Sequence, residues 1–320
     1  MEGEKGRVCV TGGTGFIASW LVMKLLQHGY SVNATIRSHL SKKDVSYLTN
    51  LPGASEKLRI YNADLSDPSS FEAAIEGCIG VFHVAHPIDF EDTEPEETVT
   101  KRSVEGTLGI LKACLNSKTV KRVVYTSSTS AVEYNDKGGD IKDESSWSDV
   151  DFLKALNYWG LSYMISKTMT ERAALDFAHE HGLDLVTVIP SFVVGPSFVP
   201  GSLDRPGSTK STLETTFFII FLTYTGDQQH YHFLMSVSMV HVDDFFEGGS
   251  RVWNTGVSSK KLLDTGFKYK YGLDEMFDEA IQCCKEKGFS SSCLAQYHGF
   301  SLFCATLRQI KTLILLSQSY

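Results

Sequence analysis

The chain of 320 residues lacks several features that would announce its surroundings at once. It has no uninterrupted apolar run of the roughly 20 residues that a membrane-spanning helix needs. The apolar tail from Phe300 to Leu315 is broken by Arg308, Gln309 and Lys311. The opening residues, Met1 to Arg7, are charged and lead straight into a strand pattern, leaving no room for the apolar segment of a secretory leader, so a cytosolic (cytoplasmic) location is expected. Positive charge is not in excess: 38 acidic against 30 basic residues give a net charge of −8. That balance disfavours nucleic acid and anionic membrane as partners and leaves a small molecule as the expected one. Seven cysteines are scattered without the paired spacing of a zinc site, so they are expected to be reduced and mostly in the core, and no metal is expected. There is no internal repeat, and 42% hydrophobic with 21% charged residues is an ordinary globular balance.

What is present is a regular alternation. Short β-branched runs at Arg7–Thr11, Tyr30–Arg37, Leu58–Asp64, Gly80–Ala85, Arg122–Ser128 and Asp184–Val194 are separated by segments with apolar residues at helical spacing, Ser19–His28, Ser70–Glu76, Val99–Asn116 and Tyr163–His181. This order predicts an α/β fold, a doubly wound parallel sheet over residues 1–195. Asn33-Ala34-Thr35 fits a glycosylation acceptor but falls inside a predicted strand, which argues for a structural role. Beyond Pro196 the alternation stops: Pro200, Gly201, Pro206 and Gly207 mark loops before an apolar stretch, Thr216–Tyr224, expected to be buried or to line a pocket. A small, shortened C-terminal substrate region is expected over residues 196–289, followed by an atypical tail over residues 290–320.

Ligands of such sheets bind beyond the carboxyl ends of the strands. After the first strand comes Thr11-Gly-Gly-Thr-Gly-Phe-Ile-Ala18 and then a helix. Gly12, Gly13 and Gly15 suit a tight turn whose backbone approaches a pyrophosphate, small Ala18 lets the helix pack closely, and the helix start at Phe16 and Ile17 offers N–H groups to phosphate. The second strand ends at Arg37, 19 residues after Ala18, with no acidic residue to hold a ribose 2′-hydroxyl. A guanidinium there, helped by Lys42 or Lys43, suits a 2′-phosphate and therefore NADP(H). Asp64 and Leu65 at the third strand's end are placed for the adenine. Val84, Ala85 and His86 after the fourth are placed for the ribose and nicotinamide side. No partner for His83 or His86 is legible, so both read as packing or cofactor-lining residues.

Tyr163-Met-Ile-Ser-Lys167 sets a phenol and an ammonium four residues apart on one helix face. A lysine cation beside a tyrosine is expected to stabilise the phenolate and lower its pKa from about 10, making it an acid–base catalyst. Val123-Val-Tyr-Thr-Ser-Ser128 delivers hydroxyls to the sheet edge, 35 residues before Tyr163, where Ser128 can donate a hydrogen bond to a developing oxyanion.

With these motifs in order, the sequence resembles the extended short-chain dehydrogenase/reductases, which bind their cofactor on a Rossmann sheet, and within them the plant dihydroflavonol reductase and vestitone reductase group. The stretches that carry the resemblance are Val8–Ile17, Gly80–Ala85, Tyr125–Ser128, Tyr163–Lys167, Val188–Pro190 with Val193–Pro196, and Val240–Asp244. The resemblance implies NADPH-dependent reduction of a flavonoid or isoflavonoid ketone, a phenolic substrate, with Ser128, Tyr163 and Lys167 as the catalytic triad and Pro190 to Val193 against the nicotinamide. Ser259–Gly272 and Ile281–Phe289 resemble the family's C-terminal end, nearer its vestitone reductase branch.

Three departures stand out. Ala18 replaces the group's usual glycine. Glu133 stands where dihydroflavonol reductases commonly carry an asparagine that meets the substrate, which disfavours dihydroflavonol itself. After Asp244 only Phe245–Val257 precede the Ser259 segment, where the family has a helix, a strand and further helices; an internal deletion with a substituted tail would explain this. Two other readings therefore stay open: a non-catalytic NADP-binding remnant, and a nucleotide-sugar epimerase or dehydratase. Arg37 and the apolar Phe217–Phe221 run argue against the latter. No motif fixes the exact ketone, its stereochemistry or the oligomeric state.

Overall fold

The computed structural model of the chain describes residues 5–37, 44–88, 93–137, 141–156, 160–191, 193, 231–235, 256–270 and 282. The chain divides into two compact units, one made of Met1–Ser191, Thr223–Ser236 and Asn254–Phe267, the other of Phe192–Leu222, Val237–Trp253 and Lys268–Tyr320. Nearly all described residues belong to the first. The expected ranges 1–195, 196–289 and 290–320 are contiguous, whereas the first unit takes back two later segments.

That unit is built from β1 (Arg7–Val10), α1 (Phe16–Gln27), β2 (Ser31–Ile36), α2 (Ser46–Thr49), α3 (Ala54–Lys57), β3 (Leu58–Asn62), α4 (Glu72–Ile75), β4 (Gly80–His83), α5 (Glu96–Ser117), β5 (Arg122–Thr126), β6 (Ile141–Lys142), α6 (Val150–Leu156), α7 (Leu161–His181), β7 (Leu185–Pro190), β8 (Tyr231–Met235), β9 (Gly256–Val257) and α8 (Lys260–Asp264). Seven strands form one sheet in the order β3-β2-β1-β4-β5-β7-β8, and β6 pairs with β9 apart from it. Every neighbouring pair in the large sheet is parallel. β2 and β7 are buried along their whole length: β7 reads as a near-continuous apolar run, whereas β2 alternates Val32, Ala34 and Ile36 with Ser31, Asn33 and Thr35, whose polar side chains are buried as well.

From β1 the chain winds outward to β2 and β3, then returns past β1 to β4 and winds the other way. Because such crossovers are right-handed, α1 to α3 cover one face and α4, α5 and α7 the other. The second face carries the main core, where Phe71, Ile75, Ile110, Leu111, Tyr125 and Leu185 are almost wholly removed from water. Each such apolar side chain contributes about 1.5–3 kcal/mol. Cys9, Cys78 and Cys114 lie in this core as free thiols, and burial pushes Cys78 up to about 11 and Cys114 up to about 12, so they stay protonated and inert. Asn33 is 1% exposed, with its amide donating to the Ala74 carbonyl at 2.8 Å and accepting from Arg7 Nη1 at 3.0 Å. It is a structural hydrogen-bonding residue, not a surface acceptor.

The six predicted strands are all present, each ending one to four residues before its expected limit, where the chain turns into the loops. β8 goes beyond the prediction, which ended the sheet at residue 195; it pairs Val186 with Tyr231 through Pro190 with Met235. α5 meets the loop after β3 at close range: a Cβ on Gly106 would lie 2.9 Å from the Leu65 carbonyl oxygen, and one on Gly109 would lie 2.2 Å from Pro68 Cβ. Gly109→Ala therefore forces a backbone shift that outweighs alanine's helix preference, with an expected loss of about 1–3 kcal/mol in denaturant unfolding.

Candidate functional site

The site begins where β1 and β4 part. The Thr11 hydroxyl accepts from the backbone N–H groups of Val84 and Ala85, both at 3.0 Å, so its own proton goes to His83 Nδ1 at 2.9 Å. His83 Nε2 then donates to Thr107 Oγ1 of α5 at 2.9 Å. Burial first, and then the Lys167 charge, push His83 down to about 3, so it is neutral and structural. This network ties the loop after β4 to the end of β1. Gly12 sits directly against that loop with φ +72°, where an added Cβ would meet Ala85 at 3.2 Å. Gly13 donates to the Thr35 carbonyl at 2.7 Å, and Gly15 to the Gly12 carbonyl at 2.7 Å, which closes the turn.

α1 then starts at Phe16 without a capping side chain or an acidic residue in its first turn. A turn with three glycines, Gly12, Gly13 and Gly15, and a helix start with no acid suit a phosphate. The residues present therefore fit a dinucleotide. Arg37 is exposed just past β2, and its charge helps hold Asp64 below the usual carboxylate range, after the Ser66 hydroxyl and N–H that bond it at 2.7 and 2.9 Å. Asp64 and Leu65 close β3, Val84 to His86 follow β4, and buried Pro190 ends β7, all at the same edge. Lys42 and Lys43 lie outside the described residues, as does the 216–224 stretch; Val193 belongs to the other compact unit.

Ser128 follows β5 and caps a 3₁₀ turn, Thr129–Ala131, by accepting from Ser130 N at 3.2 Å. Its hydroxyl is hydrogen-bonded to the phenol of Tyr163, in the first turn of α7. Lys167, 3% exposed, donates from Nζ to the Thr126 carbonyl at 2.8 Å and stands 5.4 Å from the Tyr125 ring centre and 5.9 Å from that of Tyr163. The three residues singled out from sequence are thus brought together. Glu133 lies farther along the same segment, partly buried, with its N–H on the Thr129 carbonyl at 3.1 Å.

Two expectations need correction. The Tyr163 phenol is held above its ordinary value, not below it: burial is the larger influence, and the hydrogen bond from Ser128 is what opposes it. Lys167 is itself driven down to about 7 by burial, which weakens the cationic help it can give near neutral pH. His83 and His86 are also not partnerless, since each holds hydroxyls through both ring nitrogens.

Sequence reasoning missed Glu171. It is fully buried one turn beyond Lys167, takes the Ser127 hydroxyl at 2.5 Å and supports the Lys167 charge, while its own carboxyl is pushed up to about 7 by burial. The signal was the continuation of the Tyr163, Lys167 stripe to a third position at the same spacing. In the folded state Glu171 keeps its proton to about pH 7, whereas the unfolded carboxyl releases it from 4.5. Its stabilising contribution is therefore full below the unfolded value and lost as pH rises through the folded one. Glu171→Gln removes that loss: the unfolding free energy of the variant relative to the native chain is expected to rise from pH 5 to pH 7.5, as measured by denaturant unfolding.

Known proteins resemble this chain over most of its length. Residues 8–211 match the family model described as the NAD dependent epimerase/dehydratase family. Vestitone reductase of Medicago sativa is 48% identical over 328 aligned positions, covering 90% of this chain and 100% of that protein. A dihydroflavonol 4-reductase of Zea mays is 42% identical, covering 89% and 90% respectively. The crystal structure of the alfalfa vestitone reductase superposes with a TM-score of 0.73, at 44% identity over 89% of this chain and all of that one. A yeast methylglyoxal/isovaleraldehyde reductase complexed with NADPH shares the fold at a TM-score of 0.67 and 22% identity, covering 88% of this chain and 99% of that one. Because 90% of 320 residues cannot fill 328 positions, part of the alfalfa protein's length has no counterpart here. The chain belongs to the NAD dependent epimerase/dehydratase family, among the relatives of the vestitone and dihydroflavonol reductases.

Proposed function

We propose that the chain is a cytosolic NADPH-dependent reductase that converts an isoflavonoid or flavonoid-type ketone to an alcohol, with Ser128, Tyr163 and Lys167 as its catalytic residues. The observation that carries this reading is the hydrogen bond between the Ser128 and Tyr163 hydroxyls, at the sheet edge where the glycine turn also opens, with the Lys167 ammonium buried beside them. The 48% identity to a vestitone reductase favours an isoflavonoid ketone among the possible substrates, and Glu133 in place of an asparagine agrees with that choice.

Gly12, Gly13, Gly15, Phe16 and Ile17 would hold the pyrophosphate. Arg37 would hold the 2′-phosphate, with Lys43 adding charge, and Asp64 and Leu65 would meet the adenine. Val84, Ala85, His86 and Pro190 would line the ribose and nicotinamide side. The bound cofactor supplies a hydride to the carbonyl carbon. Ser128 donates a hydrogen bond to the carbonyl oxygen as that oxygen gains charge, and Tyr163 gives it a proton. Lys167 both anchors the cofactor and replaces part of the solvation that burial removes from the phenol when it ionises. The high phenol value suits the reductive direction, since the group enters the reaction protonated.

A second reading is favoured by the alignment shortfall: if the missing length falls in the substrate region, residues 196–289, with the tail 290–320 in its place, the chain binds NADPH and turns over nothing. Two experiments decide. NADPH oxidation is measured against isoflavanones, dihydroflavonols and cinnamoyl aldehydes, and turnover is expected to fall by about 10²- to 10⁴-fold in Tyr163→Phe. NADPH binding without turnover on any of these would install the second reading. Separately, Arg37→Ala is expected to weaken NADPH binding by about 10- to 100-fold while leaving NADH nearly unaffected, read by titration calorimetry.

A further inference from the structure

His86, just past β4, has hydroxyl partners on both ring nitrogens: Ser166 Oγ lies 3.0 Å from Nε2 and Ser103 Oγ 3.1 Å from Nδ1. Counting protons gives each bond its direction. Ser166 donates its single proton to the Tyr163 carbonyl at 2.9 Å, so it accepts from His86, and the ring proton is on Nε2. Thr170 donates to Ser103 Oγ at 2.8 Å, so Ser103 passes its own proton toward Nδ1. A one-way chain therefore runs from Thr170 through Ser103, His86 and Ser166 to the carbonyl of Tyr163. The same imidazole stands edge-on to the Tyr163 ring, with centroids 5.5 Å apart and planes at 88°. One side chain thus reaches the tyrosine at its ring and at its backbone.

We propose that neutral His86, as the Nε2–H tautomer, is a positioning residue that fixes where the Tyr163 phenol stands. This rests on Tyr163 being the proton donor of the reductase. A protonated ring has no lone pair for Ser103 and would break the chain in its middle. Burial above all, and then the charges of Lys167 and Arg102, keep the ring neutral.

The test uses the full chain labelled with nitrogen-15 histidine and carbon-13 tyrosine, with signals assigned through His86→Gln and Tyr163→Phe. Long-range proton–nitrogen correlation is expected to show His86 as the neutral Nε2–H form from about pH 6 to pH 8. The Nδ1–H form, or a protonated ring, overturns the proposal. The Tyr163 ζ-carbon signal is expected to move in His86→Phe, which keeps a ring but no hydrogen bonds. It is expected to stay in His86→Gln, whose amide can both donate to Ser166 and accept from Ser103. An unmoved signal in His86→Phe overturns the proposal. Both readouts stand whether or not a ketone is found, so failure of the reductase reading is distinguishable. With a substrate, His86→Phe is expected to lower kcat about tenfold, and His86→Gln to recover most of it. An unchanged kcat with only a lowered melting temperature would make His86 merely structural.

Discussion

The arrangement depends on the single hydroxyl of Thr11. β1 is the strand at which the winding reverses, so the loops after β1 and β4 leave the sheet side by side. Thr11 accepts from two successive N–H groups of the β4 loop and donates to His83, which in turn donates to α5. Two loops and a helix are thereby fixed to one strand end. Gly12 can then pass against Ala85 without a side chain in the way.

Across the crevice the constraint is electrostatic. Lys167 and Glu171 are both removed from water, and burial drives each toward its neutral form even though each supports the other's charge. The Thr126 carbonyl and the Ser127 hydroxyl, adjacent on the segment that leads to Ser128, take up the ammonium and the carboxyl respectively. The strand end that presents Ser128 is therefore registered against α7 by two polar contacts one helical turn apart. The same low polarity that makes these contacts strong also raises the cost of ionising Tyr163.

Much of this was legible in the sequence, for particular reasons. The parallel strands of a doubly wound sheet are buried on both faces, so β7 stands out as a run rich in β-branched residues, and β2 carries Val32, Thr35 and Ile36. The glycine turn is legible because only glycine tolerates the φ and the approach found at Gly12. Tyr163 and Lys167 share a face because their spacing is one helical turn. The rest depends on tertiary neighbours. The upward shift of Tyr163 and the partial discharge of Lys167 follow from burial, which spacing does not report. His83 and His86 looked partnerless because their partners are serines and threonines just past β1 and on α5 and α7, unremarkable residues until strand and helices are packed together. β8 enters the sheet after a stretch with no readable crossover, so no period announced it.

α5 has one further consequence for how the crevice can deform. Within two turns the helix receives Leu65 and Pro68 against Gly106 and Gly109, and supplies Ser103 and Thr107 to His86 and His83. The loop after β3 and the loop after β4 thus share a single mechanical reference. A shift of that helix moves both together, so the distance between the two ends of the crevice is conserved under a displacement that changes its width. The crevice has, in effect, a gauge of fixed length built into one wall.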